Sequence, residues 1–199
     1  MTKPRRSPTG SAVFNQAVTD VIIKSAIDLL VESGYARLTI DGVAKRADVG
    51  KSAIYRRWPS KLEMVVDGLA ELSIPIGPAP DTGSLRDDVR AVMQAAFDWL
   101  TDPRIRAVLP DLIAESDRHP LLAQAVAEHV TGPRVTWARA ALHRARDRGE
   151  LAADDVDLVL DLTIAPVFWR LTHARPVDDS YLDRLTELTM GAVQQNADA

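Results

Sequence analysis

Between Thr39 and Lys61 the chain reads TIDGVAKRADVGKSAIYRRWPSK, and these residue types grip a phosphate backbone rather than break bonds. Lys51, Arg56, Arg57 and Lys61 supply cations, and Ser52 and Tyr55 supply hydroxyls. Thr39 and Gly50 open two helices whose first backbone N–H groups and positive dipole ends suit phosphate oxygens. Ser, His and Asp occur without a nucleophile elbow, a P-loop or an HExxH sequence, so the chain reads as no enzyme and calls for no cofactor. His119, His129, His143 and His173 lack the spacing of a metal site, and a chain without cysteine excludes thiolate sites and disulfides.

Two short helices joined by a tight turn must position these groups: Thr39 to Arg46, the turn Ala47, Asp48 and Val49, then Lys51 to Trp58. At about 100° per residue, Ile54 and Trp58 share one face and enter a small core. Ser52, Ala53, Tyr55 and Arg56 then face outward, with Lys51 and Arg57 at the edges. An amphipathic helix precedes them, with Val18, Val21, Ile22, Ser25, Ala26, Leu29 and Leu30 on its buried face and Gly34 as its stop. Another follows, opened by the Ser60 and Glu63 capping box and carried by Leu62, Val66 and Leu69. Residues 1–72 therefore form an N-terminal arm and a helix-turn-helix DNA-binding domain.

Residues 73–84, SIPIGPAPDTGS, read as a linker, and residues 85–199 as a second helical domain. Its first helix carries Leu85, Val89, Val92, Met93, Ala96 and Leu100 on one side. Further helices are expected over 104–117, over 120–148 with a break at Gly132 and Pro133, over 155–174 with a kink at Pro166, and over 178–196. The fold class is all-α, a three-helix head on a larger helical bundle, with about nine helices in total. Charge follows the same division: residues 1–61 hold 11 Lys plus Arg against 5 Asp plus Glu, and the remainder 13 against 23 with no lysine. A basic head beside an acidic body fits a nucleic-acid reader joined to a domain that avoids phosphate. Asp28, Asp67, Asp98, Asp161 and Arg170 keep every apolar stretch short of the roughly 18 to 20 residues a membrane helix needs, and the expected location is the cytoplasm.

The segment from Thr39 to Lys61, preceded by a helix ending ESGYARLT, resembles the DNA-binding domain of the tetracycline-repressor (TetR) family of transcription regulators; the likeness covers residues 16–72. The resemblance implies a two-domain, all-α homodimer whose heads grip a palindromic double-stranded operator until a small-molecule effector binds the C-terminal domain. It assigns phosphate contact to Thr39, Tyr55 and Lys61, and base-edge or groove contact to Lys51, Ser52, Ala53 and Arg56. The sequence departs from the family pattern at Asp48, where the turn commonly has Gly, at Gly50, where a Ser cap is usual, and at Ala53, where a hydroxyl is frequent. Asp tolerates the left-handed backbone and Gly is an acceptable cap, so these changes bear on base preference rather than fold.

A regulator of this kind needs a pocket, and the large apolar residues Met93, Phe97, Trp99, Leu100, Ile113, Trp137, Phe168 and Trp169 are candidates to line one for a largely apolar effector. The last two helices carry Leu158, Leu162, Ala165 and Trp169, then Leu182, Leu185, Leu188 and Val193, and pairing with their copies would make a four-helix dimer interface. Alternatives are an all-α carrier or enzyme with an incidental basic head, an adaptor using the C-terminal helices, and a regulator with no effector.

Overall fold

The computed structural model describes residues 11–72 and 76–197, with side chains described over 16–72 and 76–193. The basic arm with Lys3, Arg5 and Arg6, the Phe14 side chain and linker residues 73–75 lie outside them. Among the described residues every regular element is helical. Two compact units emerge among the described residues: those up to Leu72 together with Asp111–Val126, and those from Ile76 to Pro110 together with those from Ala127 onward. The sequence alone groups Asp111–Val126 with the C-terminal domain, whereas their contacts cluster with the head.

In the head, α1 (Ser11–Ser33) ends where Gly34 takes φ +78° and donates its amide to the Leu30 carbonyl at 2.9 Å. Its buried arc is Ile22, Ile23, Ser25, Ala26, Ile27 and Leu30, while Val21, expected inside, is 49% exposed. The arc is rotated because α1 packs against two partners, α2 (Ile40–Arg46) and α4 (Lys61–Gly68). A Cβ on Gly68 of α4 would stand 3.0 Å from Ile27, so the close approach draws Ile23 and Ile27 inward and turns Val21 to water.

Thr39 caps α2 by accepting the Gly42 amide at 3.1 Å, and Asp48 supplies the left-handed residue of the following turn at φ +53°. The short α3 (Lys51–Tyr55) starts from Gly50 without a side-chain cap. Ser60 accepts the Glu63 amide at 3.2 Å and opens α4, which ends in a 3₁₀ turn, Leu69–Leu72. Ile22, Leu30, Val43, Ile54, Met64 and Leu69 are fully buried among these helices.

In the other unit, α5 (Leu85–Thr101), capped by Ser84 on the Asp87 amide, is the central rod against which α8 (Gly132–Asp147), α9 (Val156–Thr172) and α10 (Asp179–Ala197) pack. Between α5 and α8 run α6 (Pro103–Ser116) and α7 (Pro120–Ala125), and the chain passes between the units within α6. The break expected at Gly132 and Pro133 does not occur. A π-helical turn, Val126–Thr131, carries α7 into α8 without interruption, so the ten α segments form nine rods among the described residues. The widened turn brings the Ala127 carbonyl oxygen onto the place where a Cβ on residue 132 would sit, a place only glycine leaves open. α9 runs through Pro166 as a single element, as the helix expected over 155–174 does.

Candidate nucleic-acid interface

Two apolar anchors orient the α2–turn–α3 segment: Ile54 is fully buried, and Trp58, 5% exposed, donates its indole N–H to Asp67 at 2.9 Å. One helical step from Ile54, Tyr55 is 54% exposed, and Lys51, Ser52 and Arg56 also face water. Ala53 is half-buried beneath them. Thr39 is exposed, and because its oxygen accepts the cap bond its hydroxyl proton remains available to a phosphate. Set by the four-residue turn, Ala47 to Gly50, α3 therefore projects one short polar face from an apolar base.

The cations of the head differ in what already holds them. Arg46 makes two bonds of 2.6 Å to the Glu32 carboxylate, and that pairing lowers the Glu32 pKa and raises that of Arg46. Arg57 donates to the Thr19 hydroxyl at 2.8 Å and to the Ala53 carbonyl at 2.7 Å. Lys61 is half-buried, donating to the Tyr35 carbonyl at 2.8 Å with its ammonium 4.1 Å from the centre of the Tyr35 ring. Lys51 lies 2.7 Å from the Asp41 carboxylate, whose hydrogen bond raises the lysine pKa. Arg37, Lys45 and Arg56 are exposed, and no acceptor among the described residues engages them. Sequence reasoning overlooked Arg37 and Lys45, although the first lies two residues before the Thr39 cap and the second on α2 itself.

The C-terminal unit holds several hollows. One of about 270 Å³ is walled by Leu100, Ile105, Leu109, Phe168 and Leu171, with Arg106 as its one charged lining residue. A second, about 300 Å³, is bordered by Trp99, Trp137, Arg134 and Asp98; the Arg134 guanidinium sits 4.7 Å from the Trp99 ring centre, and burial lowers its pKa. A third, wide and shallow, runs past Phe168, Trp169, Arg170 and Tyr181. Of the expected pocket residues, Trp99 and Trp137 thus share one hollow, Leu100 and Phe168 another, and Trp169 lines the shallow one. Met93 lines none of these: it is fully buried, and its sulfur accepts the Thr186 hydroxyl at 3.4 Å. Phe97, half-buried, and Ile113, 43% exposed and grouped with the head, also line none of them.

Along α9 the apolar stripe divides. Val159, Thr163 and Val167 are buried, while Leu158 is 52% and Trp169 59% exposed, with Ala165 also facing out. On α10, Leu188 is 58% exposed, but Leu182, expected at an interface, is 1% exposed and belongs to the core of its own unit. Among the described residues no three His, Asp or Glu side chains gather as a metal site, and no helix is long and apolar enough to cross a membrane.

Residues 79–189 match the family model for the tetracyclin repressor-like C-terminal domain, and residues 22–67 match that for bacterial regulatory proteins of the tetR family. The chain belongs to the TetR family. It is therefore a helix-turn-helix transcriptional regulator and not an enzyme. This TetR-family chain is 31% identical over 175 residues to the uncharacterized HTH-type transcriptional regulator YdeS of Bacillus subtilis, covering 87% of the chain and 88% of that protein. It is 32% identical over 168 residues to the DNA-binding transcriptional repressor TetR of Mycobacteroides abscessus, covering 83% and 88%. Its fold is also that of the flavonoid-responsive regulator FrrA, with a TM-score of 0.70 at 18% identity over 91% of this chain and 97% of that one.

Proposed function

We propose that this TetR-family regulator is a ligand-responsive repressor that binds a palindromic operator as a homodimer and is released by a small, largely apolar effector. The observation that carries it is the short polar face of Ser52, Tyr55 and Arg56 raised over the buried Ile54 and Trp58, the size of element that enters a major groove. Thr39, Tyr55 and Lys61 are the phosphate contacts, and Lys51, Ser52, Ala53 and Arg56 the groove contacts. Arg37 and Lys45 join them as further phosphate ligands.

The exposed Leu158, Ala165 and Trp169 on α9 and Leu188 on α10 support an isologous dimer through the last two helices, which gives the symmetry a palindrome requires. Residues 1–72 then read DNA, 73–84 link, and 85–199 bind effector and partner, in the cytoplasm. The hollows beside Trp99 and Trp137 and beneath Phe168 support an effector site, while Met93 acts from the core behind them. Effector binding moves the two recognition helices away from the roughly 34 Å spacing of one DNA turn.

Selection from a random duplex pool at two salt concentrations tests this. An enriched inverted repeat with half-site centres one turn apart, bound less tightly at higher salt, is the expected result. A folded protein that enriches no sequence would overturn it. Lys51→Ala is expected to weaken operator binding with the thermal midpoint unchanged.

A further inference from the structure

On a head whose exposed side chains near α3 are mostly basic or hydroxylic, Asp41 is an exception. It lies in the first turn of α2, two residues after the Thr39 cap, is exposed, and holds the Lys51 ammonium at 2.7 Å. Whatever a carboxylate in the first turn adds to the stability of α2, it does not help a surface to bind phosphate. The carboxylate repels phosphate, and it occupies a lysine that would otherwise displace a counterion.

Hydrogen-bond chemistry limits what on a duplex can satisfy the pair. An ionised carboxylate only accepts, and an ammonium only donates. Phosphate oxygens only accept, so the backbone can engage Lys51 but never Asp41. In the major groove, guanine offers the adjacent N7 and O6 acceptors that suit a lysine, and its paired cytosine offers the N4 amino donor that suits a carboxylate. Donor and acceptors stand side by side across one G·C pair, as ammonium and carboxylate stand side by side on the protein.

We propose that Asp41 and Lys51 form a coupled reader of a G·C base pair in each half-site, with Asp41 as a specificity-determining residue that also lowers affinity for unrelated DNA. This rests on the proposal that α3 enters the major groove. Where the pair meets G·C, both partners exchange their mutual bond for base contacts. At an A·T pair the N6 amino donor lies between the single N7 and O4 acceptors, so Asp41 is met but Lys51 loses the two adjacent acceptors that guanine gives it; on the phosphate backbone Lys51 leaves Asp41 unsatisfied or stays bound to it.

The test is site selection with the full chain as wild type, Asp41→Asn, Asp41→Ala and Arg56→Ala. Affinities are then measured for the enriched site, for that site with its G·C pair changed to A·T, and for random-sequence duplex. In wild type the base change is expected to cost about tenfold or more. In both Asp41 variants that cost falls to about threefold or less, affinity for random duplex rises, and the salt dependence steepens by about one ion per head as Lys51 turns to phosphate. Neither variant removes the Thr39 cap bond, so an unchanged thermal midpoint shows that the head is intact.

An enriched motif with the same G·C requirement in the Asp41 variants overturns the proposal. If Arg56→Ala alone alters the motif, the groove-reading function stands and the role of Asp41 falls. If wild type enriches nothing, both fall together.

Discussion

Tyr55 and Lys61 have the same expected task, phosphate contact, but stand in different surroundings, and substitution separates them. The Tyr55 hydroxyl projects from a residue 54% exposed, so Tyr55→Phe is expected to weaken operator binding with no change in the thermal midpoint. Lys61→Met is expected to weaken binding and lower the midpoint together, because its ammonium also ties the Tyr35 carbonyl and covers the Tyr35 ring. Calorimetry beside a DNA titration distinguishes the two. Asp88 is a structural residue of another kind. It is fully buried, and burial raises its pKa, yet the Thr82 amide and hydroxyl, each at 2.8 Å, and the Arg148 guanidinium at 3.0 Å outweigh that and hold the carboxyl below its usual range. Asp88→Ala strands these donors and is expected to cost about 2 to 4 kcal/mol in denaturant unfolding. With the folded pKa depressed, the native state binds fewer protons than the unfolded chain near pH 4. The stabilisation from Asp88 is therefore complete above the ordinary carboxylate value of about 3.9 and is lost as pH falls below it toward the folded value. Unfolding free energies taken from pH 6 down to pH 3 should fall less steeply in Asp88→Asn.

The helix ends were legible because capping is local chemistry. Thr39, Ser60 and Ser84 each announce a helix three residues before the amide they accept. The burial of Ile54 and Trp58 followed from the helical step alone. Thr39→Ala is accordingly expected to cost about 1 kcal/mol of stability, measured by denaturant titration. Other features needed tertiary contacts. Val21 satisfied the same spacing rule as Ile22, and only the close approach of α4 at Gly68 decides which of them meets water. Gly132 with Pro133 reads as a stop, yet the missing Cβ permits a π turn and the helix continues. Gly132→Ala drives a methyl into the Ala127 carbonyl and is expected to lower stability by about 1 to 3 kcal/mol with loss of helical circular dichroism on heating at a lower temperature. The pairs Asp41 with Lys51 and Glu32 with Arg46 span 10 and 14 residues across separate helices, beyond any spacing rule for one helix. The sequence could therefore count the cations of the head but not separate the held from the available.

Across the whole molecule the acidic remainder carries no lysine and presents large apolar side chains on its last two helices. Leu158→Glu with Trp169→Glu is expected to yield a monomer by sedimentation, with helical content retained and operator affinity reduced, because neither side chain supports the core of its own unit. Unchanged dimer mass would assign the interface elsewhere. The confinement of every lysine to position 61 or earlier also governs how the protein should be handled. Reagents that acylate primary amines find the head and spare everything after it. Within the described head, Lys24 and Lys51 are paired with carboxylates and Lys61 rests on Tyr35, which leaves Lys45 as the exposed lysine that no acceptor among the described residues engages. A sensor surface loaded through amine-reactive esters would hold the chain by its head, and coupling at Lys45 or Lys51 would report a false loss of binding. The same bias makes acylation at Lys45, followed by mass spectrometry with and without duplex, a footprint that requires no engineered label.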